Sequence, residues 1–200
     1  LSNDIVLTIT EDQEGMLWLG TRGGLNRFNP NTEQFSHYRF DASNPNSLSS
    51  DIVIDITEDH QGRLWVGTIN GLNLMDRRTG QFRRFTEKDG LPNNVICRIE
   101  EDNDGLLWLS TNLGLSRFNP ETERFKNYDV GDGLQNNEFN TMASFKSNSG
   151  ELFFGGINGF NRFFPDKITD DKQKPVVVFT DMLLLNQSVP ISPKQDKLEN

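Results

Sequence analysis

The chain predicts an all-β fold built from four antiparallel repeat units in series, and three observations carry that prediction. One motif recurs four times, as Leu17-Trp18-Leu19-Gly20, Leu64-Trp65-Val66-Gly67, Leu107-Trp108-Leu109-Ser110 and Leu152-Phe153-Phe154-Gly155. Its aromatic second residues are spaced by 47, 43 and 45 residues, a period that belongs to arrays of supersecondary units. The apolar runs between turn signals have strand length, and no segment keeps a helical period over about ten residues. Leu17, Trp18 and Leu19 are consecutive and apolar, so both faces of that strand require burial. A sheet with one wet face alternates instead, whereas a blade packed between neighbours is covered on both sides. The prediction is four four-stranded blades of a partial β-propeller.

Each element of the unit repeats in order. A leucine followed by small polar residues opens each copy, at Leu1-Ser2-Asn3-Asp4, Leu48-Ser49-Ser50-Asp51, Leu91-Pro92-Asn93-Asn94 and Leu134-Gln135-Asn136-Asn137. A first strand follows at Ile5 to Thr10, Ile52 to Thr57 and Val95 to Ile99, then an acidic turn ending in Gly15, Gly62 or Gly105. The aromatic motif is the second strand. Gly24-Leu25, Gly71-Leu72, Gly114-Leu115 and Gly159-Phe160 open the third. A fourth strand is signalled in the first three copies, over Phe35 to Phe40, Phe82 to Phe85, and Phe125 to Tyr128. The fourth copy is two residues longer between its opening leucine and its aromatic, which predicts a bulge or longer strand between Glu138 and Gly150.

The blades are expected at about 1–47, 48–90, 91–133 and 134–168. A charged linker follows at 169–174, and 175–200 reads as the start of a second β domain, with Val176 to Phe179 as a strand and Asn186-Gln187 as a turn. The chain opens at Leu1 inside a repeating pattern, which is expected of a piece of a longer protein. A formal net charge of −9 with scattered basic residues excludes a nucleic-acid surface. No apolar run reaches the length of a membrane helix, and no signal-peptide pattern is present in this segment. The single cysteine, Cys97, aligns with Leu7 and Ile54 and is expected to be buried.

The segment from Leu48-Ser49-Ser50-Asp51-Ile52 through Glu58-Asp59-His60-Gln61-Gly62-Arg63-Leu64-Trp65-Val66-Gly67-Thr68 to Gly71-Leu72-Asn73 resembles the repeat of the two-component regulator propeller family. The resemblance covers residues 1 to about 165 in four copies. The run Pro175-Val176-Val177-Val178-Phe179-Thr180-Asp181 resembles the start of the triple-tyrosine β-sandwich domain that follows such propellers. This resemblance implies a periplasmic sensor region of an inner-membrane protein, often for oligosaccharides. A transmembrane helix would link it to a cytoplasmic histidine kinase or a diguanylate cyclase. It implies no catalysis by this segment and no cofactor.

The sequence offers three kinds of candidate site. Asp102-Asn103-Asp104-Gly105 resembles the opening of a calcium loop, but Leu113 stands at the twelfth position, where a glutamate is needed. Asx and Gly residues at a tight hairpin explain the turn without metal. His60 in a first-to-second-strand turn and His37 in an outermost strand do not converge, against a streptogramin-lyase-like enzyme. The turns between second and third strands and the connections between blades share one face of a propeller. They present Arg22, Asn70, Asn112 and Asn158, with Asn93, Asn94, Asn136 and Asn137, as candidate ligand contacts. Asparagine offers donors and acceptors to sugar hydroxyls, and it is equally an ordinary turn residue. The alternatives are a protein-interaction propeller and, behind it, a propeller lyase.

Two further expectations concern packing. Asp55 and Arg98 hold equivalent places on adjacent first strands and are expected within salt-bridge reach. Four blades cover only about half of a ring of seven or eight, so the terminal blades are expected to meet a second copy or neighbouring blades of a longer chain.

Overall fold

The computed structural model describes residues 1–169, and beyond them the backbone of two short strands at 183–184 and 187–188. Residues 1–168 form one compact unit and 169–200 another. The first unit is four antiparallel sheets in chain order. Blade 1 contains β1 (Val6–Glu11), β2 (Leu17–Thr21), β3 (Gly24–Asn29) and β4 (Gln34–Tyr38). Blade 2 contains β5 (Val53–Glu58), β6 (Leu64–Thr68), β7 (Gly71–Asp76) and β8 (Gln81–Phe85). Blade 3 contains β9 (Ile96–Glu101), β10 (Leu107–Thr111), β11 (Gly114–Asn119) and β12 (Arg124–Tyr128). Blade 4 contains β13 (Phe139–Lys146), β14 (Leu152–Gly156) and β15 (Gly159–Phe163). It has three strands among the described residues, in keeping with the missing fourth-strand signal of that copy.

The four aromatics hold one place. Trp18 pairs with Arg27, Trp65 with Leu74, Trp108 with Arg117 and Phe153 with Arg162 on the neighbouring strands. Each tryptophan is 1% exposed. Trp18 packs with Val53, Ile56, Leu64 and Val66 of the next blade, and Trp65 with Ile96, Ile99, Leu107 and Leu109. Trp108 packs with Phe139, Leu152 and Phe154. The core is therefore three apolar layers between blades. Burying about 200 Å² of indole in such a layer stabilises it by roughly 5 kcal/mol. Every residue of β6 and β10 is buried, because those strands are covered on both faces. On the end blades, Leu17, Leu19 and Phe153 are only half-buried.

Close approach of strands requires glycine at a few points. A Cβ on Gly67 would lie 2.8 Å from Ile96 Cγ2, across the joint between blades 2 and 3. Gly71 opens β7 at φ +118, with the Phe85 carbonyl oxygen 2.4 Å from where a Cβ would be. No side chain fits there, and Gly24 and Gly114 meet the same obstruction; Gly159, at φ +102 with open space around it, shares only the left-handed backbone.

The inner strands β1, β5 and β9 each carry one extra residue opposite their partners, between Val6 and Thr8, Val53 and Asp55, and Ile96 and Arg98. In β13 the irregularity runs from Phe139 to Ser144 opposite Gly156 and Phe154, and it takes up the two additional residues of that copy. Met142 sits inside it at φ 61. β1 packs on β5, β5 on β9 and β9 on β13, with no comparable packing of β13 on β1 among the described residues, so the blades form an arc.

In the second unit β16 (Leu183–Leu184) pairs with β17 (Gln187–Ser188), which places Gln187 in a strand rather than a turn. The linker and the Val176 to Phe179 strand lie outside the described residues.

Candidate functional site

Two faces of the arc are built by recurrent polar chemistry. On one face the acidic turns close over the tryptophans. Asp59 Oδ1 accepts the backbone N–H groups of Gln61 (3.0 Å) and Arg63 (2.9 Å), and its Oδ2 accepts the Trp65 indole N–H at 2.8 Å. Asp12 does the same for Glu14, Met16 and Trp18, and Asp102 for Asp104, Leu106 and Trp108. In the fourth copy Phe153 has no N–H to offer. Ser147 replaces the aspartate there; its Oγ accepts one backbone donor, the Glu151 N–H at 3.0 Å, and shares a hydrogen bond with the Ser149 hydroxyl at 2.8 Å. Burial pushes the Asp59 carboxyl up, but the indole, the Arg63 guanidinium and the backbone donors outweigh it and hold the group below its ordinary range. The aspartate of these turns is thus occupied as the indole's acceptor. Among the described residues no three His, Cys, Asp or Glu side chains gather as a metal site. Sequence reading found the turn but missed this role. The signal was the constant six-residue step from Asp12, Asp59, Asp102 and Ser147 to their aromatics.

The opposite face carries the turns after the second strands and the connections between blades. Thr68 Oγ1 donates to the Gly71 carbonyl and accepts the Asn70 N–H, and Thr21 and Thr111 repeat this. Asn73 on β7 accepts the Ser49 N–H at 2.9 Å and so ties the incoming connection to its blade; Asn26 holds Ser2 likewise, and Asn161 holds Gln135. The Gly71 N–H donates to the Asn94 carbonyl at 2.7 Å, and the Gly114 N–H to that of Asn137 at 2.6 Å.

These bonds bring Asn70 beside Asn94 and Asn112 beside Asn137, while Asn158 lies against Gln135. Several of the eight candidate side chains are engaged locally. Asn94 accepts the Glu87 N–H and Asn137 that of Val130, each across a short 3-10 turn. Asn93 and Asn136 accept the N–H groups of Val95 and Glu138. Asn70 and Asn158 donate to the carbonyls of Ser49 and Gln135. Asn112 accepts the Cys97 thiol at 3.5 Å. Arg22, Asn70, Asn112 and Asn158 are exposed, and on the same turns so are Ile69, Leu113 and Ile157. A cleft of about 230 Å³ opens on this face, lined by Pro92, Leu113, Asn127, Tyr128, Asp129 and Asn137. Of its lining, Asn137 alone is among the candidate ligand contacts; Pro92 comes from a blade connection, Leu113 from a second-to-third-strand turn, and Asn127, Tyr128 and Asp129 from the end of a fourth strand that local pattern does not place near the connections.

At the inner strands, Arg98 Nη1 lies 2.7 Å from Asp55 Oδ1, and Asp55 Oδ2 accepts the Ile99 N–H at 2.7 Å. Burial pushes the Asp55 carboxyl up to about 6, against the pull of Arg98 and the Ile99 N–H. Cys97 is buried, and burial, with the Glu138 charge, pushes its thiol up to about 11. His60 contacts Glu101 at 2.5 Å in the β5–β6 turn, and His37 contacts Asn26 at 2.7 Å from the outermost strand of blade 1. The two histidines serve different partners on different elements.

Four like sheets joined blade to blade, with the same indole clamp in three of them, define a β-propeller repeat protein. Three of its repeats match the family model of the two-component regulator propeller, at residues 1–23, 47–70 and 90–113. The fold is similar to the extracellular domain of the hybrid two-component system BT3049 of B. thetaiotaomicron, with TM-score 0.78 and 29% identity over 96% of this chain and 27% of that one. The extracellular domain of the one-component system BT4673 of the same organism gives TM-score 0.70 and 25% identity over 83% of this chain and 24% of that one. Histidine kinase P4 of Formosa agariphila is 38% identical over 58 residues, 29% of this chain and 4% of that protein. Virginiamycin B lyase of Staphylococcus aureus, at 20% identity, TM-score 0.62, and coverage of 80% of this chain and 53% of its own, shares the fold. The chain therefore spans about a quarter of the sensor domains it matches and a small fraction of the kinase.

Proposed function

We propose that this chain is a non-catalytic sensing segment from the extracytoplasmic, periplasmic region of a membrane-bound two-component signalling protein. In this reading it takes a polar ligand, an oligosaccharide or a molecule of similar hydrogen-bonding character, on the loop face. The signal passes to a cytoplasmic histidine kinase or diguanylate cyclase carried by the rest of the protein. The observation that carries the proposal is the likeness of 96% of the chain to a two-component extracellular domain. The loop face adds support, because Arg22, Asn70, Asn112 and Asn158 recur there on successive blades with exposed side chains. Guanidinium and amide groups together supply the donors and acceptors that sugar hydroxyls need. The test is a glycan array followed by calorimetric titration of any hit. Saturable binding weakened at least about tenfold by Arg22→Ala or Asn70→Ala, with folding unchanged, is the expected result. Hits that bind the variants as well as the parent chain, or no hits at all, would refute it.

A second reading rests on Ile69, Leu113 and Ile157, which are exposed on those same turns. Apolar residues there suit a protein partner better than a sugar. An Ile69→Asp change that abolishes binding of another domain of the same signalling protein, while glycan binding is absent, would favour this reading over the first.

A further inference from the structure

Carboxylates on the two faces of the arc meet different surroundings. Around the acidic turns they are matched by cations. Arg77 reaches Asp12 at 3.0 Å and Glu58 at 2.6 Å, and Arg63 reaches Asp59 at 2.5 Å and Glu121 at 2.7 Å. Arg83 pairs with Glu123, and Arg27 and Arg162 stand 3.6 Å and 3.7 Å from Glu14 and Glu151.

The loop face lacks this matching. Three connections join one blade to the next there, over residues 39–52, 86–95 and 129–138. The first carries Asp41 and Asp51, the second Glu87 and Asp89, and the third Asp129, Asp132 and Glu138. All but the half-buried Asp51 are exposed. The basic residues of these connections are Arg39 and Lys88, and the turns after the second strands add Arg22. Among the described residues none of these carboxylates has a cation within ion-pair distance. Seven carboxylates against three cations leave a net charge of −4. Their partners are backbone donors instead. Asp51 accepts the Phe40 N–H at 2.8 Å, Glu87 that of Asn94 at 3.1 Å, Asp89 that of Thr86 at 2.8 Å and Asp132 that of Asp129 at 2.9 Å. A backbone N–H fixes a carboxylate in place but brings no opposite charge.

Each connection lays this charge beside candidate ligand contacts. Glu87 holds the Asn94 backbone, and Asp129 lines the same cleft as Asn137. The Glu138 carbonyl accepts the Ile157 N–H at 3.3 Å, next to Asn158, and the Asp51 carbonyl accepts the Gly24 N–H at 2.7 Å, on the turn of Arg22. We infer that the loop face discriminates by charge, taking uncharged oligosaccharides and turning away those that bear uronate or sulfate groups. This rests on the sensing reading above and narrows its ligand class. A ligand anion about 10 Å from a net charge of this size is repelled even in water. At about 10 mM salt, where screening reaches only over about 30 Å, the repulsion weakens binding about fivefold or more. At 1 M salt the screening length is about 3 Å and the penalty disappears. Sugar hydroxyls carry no charge, so the asparagine amides keep their full value toward them.

Two measurements on the whole chain test this. In the first, cationic and anionic nitroxide co-solutes report the local potential through relaxation of the Asn70 and Asn112 amide protons. At about 10 mM salt the cationic probe should act at least about threefold more strongly than the anionic one. Equal effects would overturn the inference whatever the ligand. The second is a glycan array of neutral chains and their uronate- or sulfate-bearing counterparts, read at about 10 mM and 1 M salt. Neutral hits should be indifferent to salt, with acidic counterparts at least about fivefold weaker at low salt and recovering at high salt. A chain with Glu87→Gln and Glu138→Gln should keep its fold by circular dichroism and its affinity for neutral hits. It should bind the acidic counterparts at least about twofold better than the parent chain does. An acidic hit stronger than its neutral counterpart at low salt would overturn the inference and leave the sensing reading standing. No hit of either class would overturn both.

Discussion

Replacing Asp59 and Trp65 separately and together tests whether the indole clamp is a coupled unit. Asp59 is 1% exposed and holds two backbone N–H groups and the Trp65 indole. Asp59→Ser leaves a hydroxyl that can serve one backbone donor, as Ser147 does for Glu151. It strands the indole N–H in a layer that excludes water. An unsatisfied buried donor costs about 1–3 kcal/mol, and the lost bonds to a charged acceptor add about 1.5–3, so the single change should cost about 3–5 kcal/mol. Trp65→Phe keeps most of the packing and removes one donor from the carboxylate. Its cost should be about 2 kcal/mol. The pair Asp59→Ser with Trp65→Phe installs the chemistry that blade 4 already uses, with no stranded indole. It should cost about 1–2 kcal/mol less than the sum of the singles. Urea titration followed by far-ultraviolet circular dichroism, with slopes compared among variants, measures all four corners. Additivity within about 0.5 kcal/mol would show that aspartate and indole act independently and would refute the clamp.

Trp65→Ala should destabilise by about 3–5 kcal/mol through the cavity it leaves between blades 2 and 3, and a denaturant titration showing less than about 1 kcal/mol would contradict that burial. Arg98→Ala should cost about 3–5 kcal/mol because it leaves the Asp55 carboxylate buried and unpaired, and the double variant with Asp55→Ala should cost less; a double-mutant cycle without coupling rejects the pairing. The fold raises the Asp55 pKa from 3.8 to about 6, so its contribution to stability is greatest below about pH 4 and is lost as pH rises through 6, by about 3 kcal/mol. Asp59, held below its ordinary range, acts in the other direction, contributing above about pH 4 and losing that contribution on acidification. Asp55→Asn should therefore flatten stability between pH 4 and 6, and an unchanged profile would disprove the shift. Gly67→Ala should cost about 1–3 kcal/mol by driving a methyl against Ile96, whereas a neutral effect in thermal melts would mean the joint can open.

Sequence alone determined the repeating parts of this protein. Strand order, the aromatic of each second strand, the glycine opening each third strand and the extra length of β13 are local matters. Each follows from chain period, turn chemistry or side-chain size, and each recurs often enough to be read from one chain. Repetition even paired Asp55 with Arg98, because equivalent places on adjacent inner strands face each other in any such array. The tertiary structure decided what each polar group is for. Asp12, Asp59 and Asp102 read as turn residues until the fold returned the chain by one hairpin and laid an indole N–H on each carboxylate. The asparagines of the connections read as ligand contacts, yet several spend their amides on nearby backbone, which depends on how the short 3-10 turns curl against them. The cleft beside Asn137 combines a blade connection, a second-to-third-strand turn and the end of a fourth strand. The difference between Trp65 and Phe153 was also decided in three dimensions. Both occupy one position of one motif, but only Trp65 has a following blade among the described residues to cover it. Burial is a property of what lies opposite, and a strand does not encode its neighbour.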